Sequence, residues 1–241
     1  MILRLPLFTL LLALLVQAGP AQANCRLALL LALDVSSSVS EDEYALQQKG
    51  LASALMSEDV LRAILDDREG SVALSVFEWS GRYQQSVVVD WTILDSRAAV
   101  LDAANQIAQS TRSYSRFPTS MGFSLGYGAG LFKQAPPCDR RVMDVSGDGI
   151  NNEGFSPALA YRNFPLDEVT VNGLTIGGAE DDLVGYYKRE LIKGPGAFVE
   201  QARDFNDFEQ AIQRKLVREL QARALSLGPS VTPDSRSPKD G

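Results

Sequence analysis

Residues 27–43 read LALLLALDVSSSVSEDE, and this stretch decides the fold. Seven apolar residues, Leu27 to Leu33, follow one another without a polar interruption, which is typical of a strand buried on both faces of a parallel sheet. Ser40 and Glu43 form a capping box, so a helix is predicted to begin just after the serine. The segment 34–39 between them is therefore a loop that joins a buried strand to a helix.

The remainder of the chain alternates predicted strands and helices in the same way. Further strands are predicted at 71–77, 86–91, 141–146, 169–176 and 197–202. Further helices are predicted after Asp95 or Ser96, from Thr119, at 181–192 and at 206–225. A short turn at 79–82 joins the second and third strands as a hairpin. This alternation predicts an α/β protein with a Rossmann-like, doubly wound, mostly parallel sheet of six strands and helices on both faces.

The two ends of the chain are predicted to lie outside the folded domain. Residues 1–23 have the parts of a secretion signal: a positive residue, Arg4, an apolar run at 5–16 and a small-x-small cleavage site. The apolar run is too short to span a membrane comfortably. The tail at 228–241 is rich in proline, serine and charge, which predicts disorder. We therefore expect a secreted or periplasmic domain at 24–227 without a membrane span after cleavage.

Composition excludes several classes of function. The 241-residue chain contains no histidine, which excludes Ser-His-Asp and Cys-His catalysis and the usual histidine-bearing metal sites. The net charge of −7 and the lack of a basic stripe argue against nucleic-acid binding. A metal site in this chain has to be built from oxygen, which favours Mg²⁺, with Mn²⁺ or Ca²⁺ as alternatives.

Two cysteines, Cys25 and Cys138, remain after signal cleavage. In a secreted protein an even number of cysteines predicts a disulfide. Two buried free thiols are the alternative. Lipid attachment through Cys25 is a weaker alternative, because Asn24 stands where the lipidation signal usually has a small residue.

Oxygen-bearing side chains stand at the carboxyl ends of the predicted strands, where open α/β sheets bind ligands. Asp34, Ser36 and Ser38 alternate along the first loop, so an extended loop places them on one side. Thr119 opens a helix after a second loop, and Asp148 follows the fourth strand. Two carboxylates and three hydroxyls suit a hard dication and leave it electrophilic, so that an external carboxylate can complete its coordination.

These residues, in this chain order, resemble the metal-ion-dependent adhesion site of von Willebrand factor A domains. The similarity covers most of the mature chain and includes Ile176-Gly177-Gly178 and Asn206-Asp207-Phe208-Glu209. A bacterial secreted subfamily of unknown function is similar in three further phrases. They are Phe77-Glu78-Trp79-Ser80-Gly81, Asp90-Trp91-Thr92 and Val145-Ser146-Gly147-Asp148-Gly149.

The resemblance implies a strand order of 3-2-1-4-5-6 and a binding module rather than an enzyme. It implies that Ser36, Ser38 and Thr119 touch the metal directly, and that Asp34 and Asp148 act directly or through water. An exposed Asp or Glu of a protein partner would complete the shell. Ser120 is an alternative second-loop hydroxyl. In that strand order the first and fourth strands are neighbours, which would bring Cys25 and Cys138 together.

Three alternative functions compete with this interpretation. A Mg²⁺-dependent phosphohydrolase similar to the haloacid dehalogenases needs a second aspartate two residues after Asp34, where Ser36 stands. A metal-free structural domain of the same fold is the second alternative. The third is a calcium loop starting at Asp144, but Phe155 stands where the bidentate glutamate is required.

Two further acidic positions have open interpretations. Glu78 either belongs to a partner-facing rim or points into solvent, while Trp79 is predicted to pack under the loop. The cluster Glu180-Asp181-Asp182 favours a helix start through the helix dipole, and a second cation site there is the weaker interpretation.

Overall fold

A computed structural model describes residues 25–65, 70–177 and 182–222. The predicted signal peptide at 1–23 and the predicted tail at 228–241 lie outside the described residues, so both stay predictions. None of the helices in these three ranges combines the length and the hydrophobicity that spanning a bilayer requires.

A six-stranded sheet with the order β3-β2-β1-β4-β5-β6 forms the centre of the molecule. The strands are β1 (Cys25–Asp34), β2 (Ser71–Trp79), β3 (Gln85–Leu94), β4 (Arg141–Gly147), β5 (Val169–Ile176) and β6 (Val199–Ala202). The β2–β3 pair is antiparallel, and the other pairs are parallel. The predicted doubly wound architecture and the strand order implied by the resemblance are both confirmed.

Helices cover both faces of the sheet. They are α1 (Glu41–Met56), α2 (Glu58–Leu65), α3 (Arg97–Gln109), α4 (Met121–Leu131), α5 (Pro157–Asn163), α6 (Leu183–Tyr186) and α7 (Phe208–Gln221). The predicted capping box is present, with Glu43 N–H donating to the Ser40 hydroxyl and the Ser40 N–H donating to the Glu43 carboxylate.

Three helical segments differ from the prediction. The short helices α2 and α5 were not predicted: each spans only about two turns, and α2 follows α1 after the single residue Ser57. In the described part of the segment predicted as a helix at 181–192, one turn of α-helix, α6, is followed by a π-helical turn, Tyr187–Leu191.

The continuous apolar run of β1 serves two cores. Its odd-numbered leucines, from Leu27 to Leu33, pack in one cluster with α1, α2, α3 and α7. Ala28, Leu30 and Ala32 pack in a second cluster with α4 and the π-helical turn. Because successive side chains of a strand point to opposite faces, an unbroken apolar run is what a strand between two helical layers requires.

The disulfide between Cys25 and Cys138 is present, as predicted. The two cysteines pair as an isolated parallel bridge at the start of β1, just ahead of β4. At the other end of the same strand pair, Leu33 stands beside Ser146. The register therefore brings Asp34 and Asp148 to one edge of the sheet, with the disulfide roughly 30 Å away at the opposite edge.

A charged cluster lies buried between β4 and α7. Lys215 Nζ lies 2.9 Å from the carboxylate of Asp144 and 2.6 Å from that of Glu219. Asn172 also donates to Glu219, at 2.7 Å. Burial raises the pKa of Asp144 to about 7, against the opposing effect of Lys215. The calcium-loop alternative is wrong, because Asp144 lies inside a central strand and faces this lysine.

The pH dependence of stability is expected to report on Asp144. Since its folded-state pKa lies above the ordinary value of 3.8, its contribution to stability is complete below pH 4 and is lost as the pH rises to about 7. Asp144→Asn should therefore flatten the decline in unfolding free energy between pH 4 and pH 8, measured by urea denaturation in EDTA. An unchanged slope would show that Asp144 is already ionised in the folded protein at pH 4.

Candidate metal centre

Three loops meet at the carboxyl end of the sheet and bring all five predicted site residues together. Asp34 ends β1 and Asp148 follows β4, while Ser36 and Ser38 lie in the loop before α1. Thr119 stands just before α4, whose first residue is Met121. The prediction that separate loops converge here is in accord with the structure.

The hydroxyl groups form a connected chain. Thr119 Oγ1 donates to Ser36 Oγ at 3.2 Å, and the Ser36 and Ser38 Oγ atoms are 3.2 Å apart. Ser38 Oγ donates to Asp148 Oδ1 at 2.8 Å. Asp34 joins this network through its Oδ1 atom, which accepts the Ser36 N–H at 2.7 Å. Five side chains from three loops thus lie within a single hydrogen-bonded set.

Of the two hydroxyl groups in the second loop, that of Thr119 lies in this hydrogen-bonded set, whereas that of Ser120 does not contact it. Ser120 Oγ donates to the carbonyl oxygen of Glu153 at 2.9 Å. Its side chain is therefore engaged with the loop after β4, whereas Thr119 contacts Ser36. Adjacent residues point in different directions here, which a sequence pattern does not reveal.

The surroundings of Asp34 and Asp148 disfavour the ionised form of both carboxyl groups when no cation is bound. Burial, followed by the charge of Asp148, raises the pKa of Asp34 to about 7. Burial likewise raises the pKa of Asp148, although the Ser38 hydroxyl lowers it. Asp34 Oδ2 is buried and has no hydrogen-bond partner among the described residues. A positive ion between the two carboxylates would offset both the burial and the repulsion.

The donor set fits a hard divalent cation. It offers two carboxylates and three hydroxyls, all oxygen, as Mg²⁺ and Mn²⁺ prefer. Nowhere in the described parts of the chain do three or more Asp, Glu or Cys side chains gather as a metal site. Any cation held here therefore depends on neutral hydroxyls beside its two carboxylates.

Several neighbouring residues that shape the site were not predicted. Asn152 Oδ1 accepts the Thr119 N–H at 2.9 Å and ties the loop after β4 to the second loop. Gln47 donates to the Asp34 carbonyl at 3.1 Å. The phenol of Tyr187 is buried, and a Cβ atom on Gly147 would lie 2.7 Å from its oxygen and 2.8 Å from Asp34 Oδ2. The glycine is what lets both side chains approach β4.

The two open acidic positions are resolved in part. Glu78 is buried, and its carboxylate accepts hydrogen bonds from Tyr44 and Ser113. Both the rim interpretation and the solvent interpretation of Glu78 are therefore wrong. Trp79 is buried beneath the loops as predicted. Asp182 accepts the Gly185 N–H and pairs with Arg189, while the rest of that acidic cluster lies outside the described residues.

Comparison with known proteins gives one family and a common fold. The model of a family described as "Protein of unknown function (DUF1194)" matches residues 24–224. No curated protein sequence matches the chain.

Many solved structures are similar in fold. Proximal thread matrix protein 1 from the mussel byssus, solved with a zinc-occupied MIDAS motif, has a TM-score of 0.60 at 17% identity, over 82% of this chain and 48% of that one. A von Willebrand factor type A protein from Catenulispora acidiphila has a TM-score of 0.56 at 17% identity, over 82% and 43%. BatB from Bacteroides thetaiotaomicron has a TM-score of 0.52 at 12% identity, over 80% and 98%. The chain thus spans less than half the length of the first two, and the likeness identifies the fold.

Proposed function

Because the chain belongs to the family described as "Protein of unknown function (DUF1194)" and has the von Willebrand factor A fold, we propose that it is a metal-dependent binding module. In this proposal Ser36, Ser38 and Thr119 bind a divalent cation directly, and Asp34 and Asp148 act directly or through water. The cation, with Mg²⁺ as the first choice, supplies a Lewis-acidic position for an exposed Asp or Glu of a protein partner.

One observation carries the proposal: Asp34 belongs to the same hydrogen-bonded set as Asp148 and three hydroxyls, yet its buried Oδ2 atom has no partner among the residues that the structure describes. Isolated buried carboxylates are costly, and buried polar atoms normally have partners. A cation explains why this arrangement persists. The zinc-occupied motif of the mussel protein supports a divalent cation in a domain of this fold.

The carboxylates and the hydroxyls of the site have different roles toward the cation. The two carboxylates offset the charge of the ion, and the hydroxyls fill positions without adding negative charge. Ser38 is exposed, whereas Asp34, Ser36 and Thr119 are buried. The partner's carboxylate would therefore approach from the Ser38 side.

We propose a non-enzymatic role and a location outside the cytoplasm. At the position where a phosphohydrolase needs its general acid, the hydroxyl of Ser36 cannot protonate a leaving group at neutral pH. The disulfide favours an oxidising compartment, in keeping with the predicted signal peptide. The secreted or periplasmic location is part of this proposal.

A matched pair of variants tests the metal site. Thr119→Val removes the hydroxyl while retaining the shape of the side chain, and Ser120→Ala removes the neighbouring hydroxyl. We expect Thr119→Val to weaken Mg²⁺ binding by at least about tenfold, since even outer-sphere partners change metal affinity about 10- to 100-fold. Ser120→Ala should leave the affinity within about twofold of wild type, measured by calorimetric titration.

Different outcomes would contradict the metal-dependent mechanism and the assignment of Thr119. Absence of Mg²⁺ and Mn²⁺ binding by the wild-type chain would remove the metal-dependent mechanism and leave the metal-free structural domain. An affinity of Thr119→Val within about twofold of wild type, or a loss no larger than that of Ser120→Ala, would contradict the assignment of the threonine hydroxyl as a ligand.

A further inference from the structure

A buried arginine contacts the backbone of the loop that carries the first three site residues. Arg112 lies between α3 and α4, and only 6% of its side chain is exposed. Its Nη2 atom donates to the carbonyl oxygens of Val35, Ser36 and Val39, at 3.1, 3.0 and 2.6 Å. One guanidinium nitrogen thus gathers carbonyl groups from both ends of this loop.

The remaining donors of the guanidinium hold it in place. Nε donates to the Tyr114 carbonyl at 2.9 Å, and Nη1 lies 3.2 Å from the Glu41 carboxylate at the start of α1. The group also lies over the ring of Tyr44, at 5.7 Å. The planar guanidinium presents donors on three nitrogens at once, with the two hydrogens of Nη2 shared among three carbonyl groups, and a lysine ammonium cannot reproduce this arrangement.

The loop that carries the arginine is anchored as well. Buried Glu78 accepts the N–H of Ser113 at 2.8 Å and the hydroxyl of Tyr44 at 2.7 Å. The residue next to Arg112 is therefore tied to β2, and the aromatic ring beneath the guanidinium is tied to the same carboxylate. Hydrogen bonds to Glu78 therefore fix both the chain beside Arg112 and the ring that its guanidinium contacts.

We propose that Arg112 is a positioning residue of the cation site, which holds the backbone of residues 35–39 so that the Ser36 and Ser38 hydroxyls face Asp148. This inference rests on the proposed metal-dependent function. Arg112 touches no proposed ligand oxygen, because its contacts with the loop are to backbone carbonyls. It orders the loop before the cation arrives, which lowers the entropy lost on binding.

The direction in which cation affinity changes when Arg112 is replaced distinguishes a positioning role from a purely electrostatic one. A guanidinium near the site repels a dication, so removing its charge would by itself tighten cation binding. Loss of a positioning residue weakens binding instead. The two roles therefore predict changes in opposite directions for a neutral substitution.

A second buried arginine provides a matched control. Arg26, 7% exposed, also donates to three carbonyl oxygens, those of Gly70, Leu220 and Ala63, at 3.1, 2.8 and 2.6 Å. It lies next to Cys25, at the edge of the sheet opposite the site. Arg26→Gln therefore removes a similar set of hydrogen bonds without touching the loop at 35–39.

The experiment measures Mn²⁺ affinity of the full chain from the electron paramagnetic resonance signal of free Mn²⁺, at a temperature where each protein is folded. We expect Arg112→Gln to weaken binding about 10- to 100-fold, as for outer-sphere partners of metal sites. Arg112→Lys, which keeps the charge and loses the fork, should weaken it about tenfold. Arg26→Gln should bind as wild type does, although its melting temperature falls.

If the wild-type chain binds Mn²⁺, the proposed function stands, and three outcomes would then overturn the inference about Arg112. They are tighter binding by Arg112→Gln, unchanged binding by Arg112→Lys, and an equal loss of affinity in Arg26→Gln. Failure of the wild-type chain to bind Mn²⁺ would instead overturn the proposed function and this inference with it.

Discussion

Asp34→Asn is expected to weaken Mg²⁺ binding strongly and, at pH 8 in EDTA, to stabilise the protein. Asparagine can keep the hydrogen bond from the Ser36 N–H to its side-chain oxygen, so the loop stays in place while one negative charge is lost. Opposite charges about 4 Å apart interact by about 4 kcal/mol per unit pair in a partly screened site. A loss of affinity of at least about a hundredfold follows, since about 1.4 kcal/mol is a factor of ten.

The gain in stability without metal has a separate cause. In the folded protein, burial and the charge of Asp148 raise the pKa of Asp34 from 3.8 to about 7, so at pH 8 the buried carboxylate is ionised at a cost. A rise of this size corresponds to up to about 4 kcal/mol. Asparagine carries no charge and avoids that cost. Thermal and urea unfolding in EDTA measure the difference, and calorimetry measures the affinity.

Asp144→Asn is the matched control for this experiment. Asp144 is also a buried aspartate with a pKa raised to about 7, but it faces Lys215 instead of the site. We expect this variant to bind Mg²⁺ with wild-type affinity. Full Mg²⁺ binding by Asp34→Asn, or loss of binding in both variants, would contradict the assignment of Asp34.

Asp34→Asn also tests the proposal that the cation binds a carboxylate of a protein partner. Wild-type chain immobilised in Mg²⁺ should capture a partner from envelope extract and release it in EDTA, whereas Asp34→Asn should capture none. Release by EDTA is expected because the partner's carboxylate binds through the cation. Capture that survives EDTA and is equal for both proteins would support the metal-free structural alternative.

Reduction of the disulfide is expected to produce the largest loss of stability. Cys25 and Cys138 are 113 positions apart, and closing a loop of that length stabilises a fold by about 4–5 kcal/mol on the chain-entropy model. Urea unfolding with and without a reductant measures the loss, and the double variant Cys25→Ser/Cys138→Ser checks that reduction is its cause.

Metal binding provides the internal control for the disulfide experiment. Because the bridge and the site lie at opposite edges of the sheet, roughly 30 Å apart, the reduced protein should keep its Mg²⁺ affinity while it is folded. An unfolding free energy that reductant leaves unchanged would be evidence against a stabilising role for the bridge. A parallel loss of affinity would show that the two edges are coupled.

Much of the fold could be predicted from the sequence because its signals are local. The apolar run 27–33 distinguishes a strand buried on both faces, and the Ser40 capping box marks the start of α1. The resemblance then supplied the strand order, and with it the meeting of Asp34 with Asp148. The short helices α2 and α5 were missed because each spans only about two turns, shorter than the usual length of a predicted helix.

The details of the site were harder to predict because they depend on which groups meet across long separations. Arg112 contacts Val39 over 73 positions, and its loop reads as an ordinary polar connection. Both interpretations of Glu78 placed it at the surface because it stands at the end of a strand, yet it is buried and accepts hydrogen bonds from Tyr44 and Ser113. Neither contact leaves a periodic or spaced pattern for sequence analysis to detect.

The sequence by itself determined the α/β class, the buried central strand and the oxygen chemistry available to a chain without histidine. Each of these depends on residue type and short-range spacing. Only the tertiary structure decided that Thr119 faces the site, that Asp144 pairs with Lys215 and that Arg112 holds the first loop. Side-chain direction and long-range pairing follow from strand register and loop path, and those are set when the whole chain packs.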